Sequence, residues 1–190
     1  MAYEQAFLTA VDHAMLYEVG GWWCANAPGV ADGSNPHACG YTNTPGDAGG
    51  ETKFGIAKNE NPDVDVTNLT WAGAQDIYYQ RYWLTGHCDK LPGRVAALQF
   101  DGNINNGAGT SAKFLQRALG VADDGAIGPA TIAAANAADP IDLCNKICDQ
   151  RAQHYLDIVA THPEDAKWLP GWTRRTNEMR DFTTDPSGNF

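Results

Sequence analysis

The sequence predicts a mainly α protein with one small irregular or β-ribbon region near its N-terminus. Apolar residues recur at helical spacing in the first segment and again from Thr70 onward. Between those stretches lies a run so dense in Gly, Pro, Asn and Asp that turns, short strands or loop are the forms open to it. In the second half, helix-like segments follow one another, each closed by a glycine or a proline. At 190 residues the chain is long enough for one core, or for one core and a small second lobe packed on it.

The elements follow in order. Phe7, Val11 and Met15 recur every four residues, with Leu8 and Ala14 beside them, so residues 3–18 form a helix with one buried face that Gly20 and Gly21 stop. The irregular stretch follows. Thr70 caps a second helix whose apolar positions are Trp71, Ala74, Ile77, Tyr78 and Tyr82. After the Leu91–Gly93 turn, VAALQFDGNI reads as a buried helix and SAKFLQRALG as another, closed by Gly120. An Asp-Gly turn leads to Pro129 at the first position of an Ala-rich helix, which Pro140 ends. The longest helix comes next, with Ile141, Cys144, Ile147, Cys148, Arg151, Tyr155 and Val159 near one stripe. A short helix after Pro170 and a frayed tail beyond Phe182 complete the chain.

A formal net charge of −10 argues against nucleic acid as a partner, since such a binder needs a basic face. Five cysteines at irregular spacing do not make a disulfide framework, so a reducing compartment is expected. MAYEQAFLTAVDH lacks the basic and apolar regions of a signal peptide, and no run reaches membrane-spanning length. The expectation is a protein made in the cytoplasm with no stable membrane insertion.

Glu18 ends the first helix, where the negative end of the macrodipole and the aromatic neighbours Tyr17, Trp22 and Trp23 disfavour its charged form. Asp47 lies among turn residues that hydrogen-bond and solvate it, so it stays ionised. Acid-catalysed cleavage of a sugar bond needs that division: one carboxyl protonated to donate to the leaving oxygen, another charged to handle water or the developing cation. The macrodipole contributes about 0.3–1 kcal/mol, under one pKa unit, so desolvation must do most of the work at Glu18. Gly49 and Gly50 let a bulky substrate approach the backbone, and the Thr52 hydroxyl suits a water. On spacing alone, a solvated helix end and an ordinary turn aspartate compete with this reading.

The segments YEVGG, GYTNTPGDAGGETKFGIAK, IYYQRYW, LQFDGNINNGAG and FLQRALGVADDGAIGPATIAA occur in that order. Together they resemble glycoside hydrolase family 108, the N-acetylmuramidases found chiefly as phage endolysins, including the family's C-terminal peptidoglycan-binding region. The resemblance implies a mainly α, lysozyme-like helical fold and hydrolysis of the β-1,4 bond between N-acetylmuramic acid and N-acetylglucosamine, lysing the host wall, with no metal or organic cofactor. It implies Glu18 as acid, Asp47 as base or electrostatic partner and Thr52 as water positioner, with Tyr41, Asn43, Gly49, Gly50, Tyr82 and Asn105 as substrate-binding positions. Residues 1–95 would form the catalytic region, with an inserted loop at 22–40, and 96–190 a helical peptidoglycan-binding region packed into the same globular body. A monomer is expected, acting in the periplasm or on the wall after a separate membrane-permeabilising protein releases it.

Two places depart from the family pattern. Val19 replaces the first glycine and the inserted loop follows, which a hairpin with close ends absorbs at small entropic cost. Gly102 and Asn103 stand where apolar residues are usual. A catalytically silent wall-binding or virion structural protein, and a lytic transglycosylase, are the rival readings.

Other signals leave alternatives open. Cys24 and Cys39 bracket the insertion, either as a disulfide or as free thiols; with His37 they lack a fourth zinc ligand. Cys144 and Cys148 read as small buried thiols on one helix face. NPDVDVTN lacks the glycine and closing glutamate of a calcium loop, so a solvated turn is expected. Lys167, Arg174, Arg175 and Arg180 make either a wall-docking face or simple solubilising charge.

Overall fold

The computed structural model describes residues 3–20, 23–44, 49–188 and 190. Among them are seven α-helices and one two-stranded antiparallel sheet, a mainly α architecture consistent with a lysozyme-like fold. The chain divides into two compact units, Leu8–Arg81 and Met1–Phe7 with Tyr82–Phe190.

Helix α1 runs Gln5–Glu18 and buries Phe7, Ala10, Val11, Ala14 and Met15. Strands β1 (Thr52–Lys53) and β2 (Ile56–Ala57) pair Thr52 with Ala57 and Lys53 with Ile56. Helix α2 (Trp71–Tyr78) starts at Thr70, whose side chain accepts from the Gly73 N–H as expected. It does not continue as an α-helix. Tyr79–Leu84 form a π turn, and Trp83, five residues after buried Tyr78, is itself buried. A five-residue step matches the π repeat and not the α repeat.

The unit containing the C-terminus is all helical: α3 (Gly93–Asn106), α4 (Ala108–Leu119), α5 (Pro129–Ala137), α6 (Pro140–Thr161) and α7 (Leu169–Thr184). Helix α3 is buried continuously from Val95 to Asn103. Gly120 closes α4 in the left-handed conformation, and Asp139 caps α6 through the Asp142 N–H. Phe7, Trp83 and Phe100 meet edge to face, their centroids 5.5–5.8 Å apart.

The departures at Gly102 and Asn103 have a packing cause. A methyl carbon on Gly102 would lie 2.2 Å from the Ser111 hydroxyl, which donates to the Gln99 carbonyl. Asn103 accepts from the Gln99 amide and donates to the Tyr82 carbonyl, against Gly86, which has no side chain to obstruct it. A polar cross-tie between α3, α4 and the π turn replaces apolar packing.

At the centre of this unit Asp101 on α3, 1% exposed, receives Arg151 from α6 and Arg175 from α7. Burial alone would raise its pKa, but the two guanidiniums and their hydrogen bonds hold it below the ordinary value. Arg151 also donates to the Tyr155 hydroxyl, and Tyr155 stacks on Trp172 at 5.0 Å. Burial lifts the Cys144 thiol to about 12 and Cys148 to about 11, as fits inert core thiols.

The tail is not frayed. Helix α7 continues to Thr184, and Arg94 donates to the carbonyls of Thr183, Asp185 and Gly188. Its guanidinium lies 4.8 Å from the centroid of the Phe190 ring, which also meets Phe182. A single arginine supplies the tertiary contacts that the composition of the tail does not advertise.

Replacing Asp101 by Asn is expected to cost about 3–5 kcal/mol in urea denaturation at neutral pH, because two guanidiniums lose their charge partner. The wild-type carboxyl titrates lower folded than unfolded. Its contribution is therefore present above the ordinary carboxylate range and lost as pH falls through the folded value, so the variant's deficit should shrink in acid.

Candidate active site

Glu18 follows Ala14 by four residues and Met15 by three, so it shares their inward side of α1 and is half-buried. The Val19 N–H closes the last turn on the Met15 carbonyl, and Gly20 leaves the helix at φ +87°. Glu18 thus stands at the negative end of the α1 dipole.

Opposite it is the β1–β2 turn, Phe54 and Gly55. Both are left-handed, φ +52° and +74°, which is the backbone of a type I′ hairpin turn. Gly55 adopts it freely; for Phe54 it costs about 1–3 kcal/mol. Surrounding contacts hold it there. The Phe54 ring is fully buried against Trp71 and Trp23, at 5.5 and 6.3 Å, its N–H donates to the Cys39 carbonyl, and its carbonyl accepts from the Tyr78 hydroxyl at 2.9 Å. A methyl carbon on Gly55 would lie 2.6 Å from that hydroxyl oxygen and 2.9 Å from Glu18 Cβ. Glycine is required where the acid, the phenol and the turn converge.

Thr52, half-buried on β1, pairs through its backbone with Thr42, and its hydroxyl donates to the Gly50 carbonyl at 3.2 Å. Tyr41 donates to Glu51 Oε1 at 3.0 Å, and Thr67 to the same oxygen at 2.8 Å. Gly49 accepts from the Asn59 N–H, Gly50 is left-handed at φ +70°, and Asn43 is exposed. Glu18, Thr52, Tyr41, Asn43, Gly49 and Gly50 therefore all belong to the Leu8–Arg81 unit. Asp47 and Trp22 lie outside the described residues. Tyr82 and Asn105 belong to the other unit, Tyr82 half-buried and Asn105 donating to the Tyr155 hydroxyl at 2.8 Å.

The aromatic neighbours of Glu18 in sequence have partners of their own. Tyr17 packs on His13, and Trp23 on Trp71 at 4.6 Å, with a hydrogen bond to Asp12. Burial raises the Asp12 carboxyl above the ordinary range, against that bond. Glu51 and Tyr78 are the side chains that sequence reasoning missed: Glu51 is the unnamed position of the glycine-rich motif, and Tyr78 reads as a core residue, which it also is.

The insertion carries no strand pair among its described residues. It is a series of turns pinned by buried Val30, Ala38 and Cys39, and Asn35 bonds Pro28 and Ala38. Its far end returns to its origin: a methyl carbon on Gly40 would lie 3.2 Å from the Val19 side chain. Cys24 and Cys39 are free thiols, and among the described residues no three His, Cys, Asp or Glu side chains form a metal cluster. In the acidic turn, Asp63 pairs with Arg81 and Asp65 with Asn68. Of the basic C-terminal face only Arg175 turns inward, to Asp101; Arg180 and Arg174 pair at the surface with Asp149 and Glu178, and exposed Lys167 lies over Trp168.

A half-buried acid at a helix end, packed on a glycine-bearing hairpin in a mainly α chain, suits the class of glycoside hydrolases. Residues 36–107 match the family model described as Glycosyl hydrolase 108, and residues 110–177 that described as Predicted Peptidoglycan domain. The chain therefore carries a glycosyl hydrolase 108 region with a peptidoglycan-binding region C-terminal to it, which supports a peptidoglycan hydrolase. It is similar to the solved structure of Brucella abortus SagA, with a TM-score of 0.69 and 28% identity, covering 95% of this chain and 97% of that one. No curated protein matches it significantly. Glu18 precedes the hydrolase match, which begins within the insertion.

Glu51 gathers two hydroxyls from separate stretches of the loop. Glu51→Ala is expected to lower stability by about 1–3 kcal/mol in thermal or urea unfolding, since both donors lose a charged acceptor.

Proposed function

We propose that this chain is an endolysin with N-acetylmuramidase (lysozyme) activity. Glu18 donates its proton to the glycosidic oxygen as the bond from that oxygen to muramic acid C1 breaks. Asp47 stabilises the developing cation or takes a proton from the attacking water, and the Thr52 hydroxyl orients that water. Water oxygen bonds to C1, leaving a reducing N-acetylmuramic acid and a free 4-hydroxyl on N-acetylglucosamine. Tyr41, Asn43, Gly49 and Gly50, all of the Leu8–Arg81 unit, contact the glycan.

The observation that supports this reading best is the placement of Glu18: half-buried at the negative end of α1 and packed on Gly55, in a chain with glycosyl hydrolase 108 and peptidoglycan regions. Desolvation and the helix dipole both favour the neutral acid that proton donation needs. Among the described residues no helix is long and apolar enough to cross a membrane. We place synthesis in the host cytoplasm and action on the wall, as a monomer released by a separate membrane-permeabilising protein.

Digestion of purified peptidoglycan tests the reading. New reducing ends and hydrated muramic products by mass spectrometry are expected; anhydro-muramic ends would mark a transglycosylase, and binding without new ends a silent wall-binding protein. Glu18→Gln should remove nearly all activity with an unchanged melting temperature, and Asp47→Asn part of it. Lysis by Glu18→Gln at the wild-type rate would reject Glu18 as the acid.

A further inference from the structure

We propose that Tyr78 positions Glu18 for proton donation, by presenting an oxygen that a protonated carboxyl can bond and a carboxylate cannot. This rests on Glu18 being the acid, and it adds the device that keeps the acid ready.

Tyr78 is 1% exposed, and its O–H proton is committed to the Phe54 carbonyl at 2.9 Å. A phenol has one proton to give, so toward any other neighbour this oxygen acts as an acceptor. That oxygen and the stem of Glu18 flank the same glycine: a carbon on Gly55 would meet the oxygen at 2.6 Å, Glu18 Cβ at 2.9 Å and Glu18 Cγ at 3.4 Å. A carboxylate beside an acceptor oxygen is repelled, and a protonated carboxyl gains a hydrogen bond; hydrogen bonding to the neutral form favours that form. The donation to Phe54 is held by the left-handed turn, so the orientation of the phenol is built into the hairpin.

Other ionisable groups on the adjoining elements are directed elsewhere. On α1, Asp12 accepts from Trp23 and His13 packs on Tyr17. On β1, Lys53 donates to the Thr67 carbonyl, and on α2, Asp76 is exposed. Asp47 lies outside the described residues.

Tyr78→Phe keeps the ring and removes the oxygen. The expected result is a roughly tenfold lower kcat with KM unchanged. On the pH–rate profile, the limb where activity falls as the acid ionises should move about one unit toward acid, because the neutral form has lost a bond. An unmoved limb, or an equal loss of rate at every pH, would overturn the proposal. Should Tyr78→Phe unfold, fluorotyrosine placed at position 78 is read by the same criteria, because fluorination makes the phenol oxygen a poorer acceptor while the hydroxyl and its bond to Phe54 remain. Glu18→Gln is assayed in parallel. If it is active, the acid assignment itself fails; if it is inactive and Tyr78→Phe has the wild-type profile, Tyr78 alone is excluded.

Discussion

The Leu8–Arg81 unit depends on two consecutive left-handed residues, Phe54 and Gly55. Only the second is a glycine, so the turn persists because its first residue is over-determined: its ring sits among tryptophans, its N–H is bonded to Cys39 and its carbonyl to Tyr78. From that turn come the pairing of β1 with β2, the placement of Thr52 and the room in which Glu18 lies. The strain held there is compensated by burial of the Phe54 ring.

The other unit is organised by charge. Asp101 joins α3 to α6 and α7 through two arginines, and Arg151 extends the tie to Tyr155, which Asn105 also meets. Such a buried tie adds little net stability as a whole, yet removing one partner strands the other charges in the core. It also draws inward a residue that, from sequence, belonged to a basic surface. Trp168, 55% exposed beneath Lys167, is left as the conspicuous aromatic of that region.

The helices were legible because their signals are local. Thr70, Gly120, Pro129 and Pro140 fix ends through caps and backbone limits that need no tertiary partner. The π turn was not, because the five-residue step from Tyr78 to Trp83 differs from a helical stripe only once both are known to be buried. Nor was the ordered tail, whose contacts come from Arg94, far away in sequence. At the candidate site, the motif pointed to Glu18 and Thr52, which lie in one unit. Tyr78 was hidden by its spacing, which is that of a core residue, and Phe54 by lacking the Asn or Asp that usually opens a type I′ turn. Glu51 had no signal at all, because its role is to collect hydroxyls from residues 41 and 67.

The return of Gly40 onto Val19 means that the chain leaves and rejoins the hydrolase scaffold at one spot. The stretch threaded between is no mere appendix, because its Trp23 and Cys39 hold Phe54 in the hairpin turn and so shape the ground opposite Glu18. Linear separation between Glu18 and the glycine loop is therefore an unsafe guide to whether two chains share this arrangement.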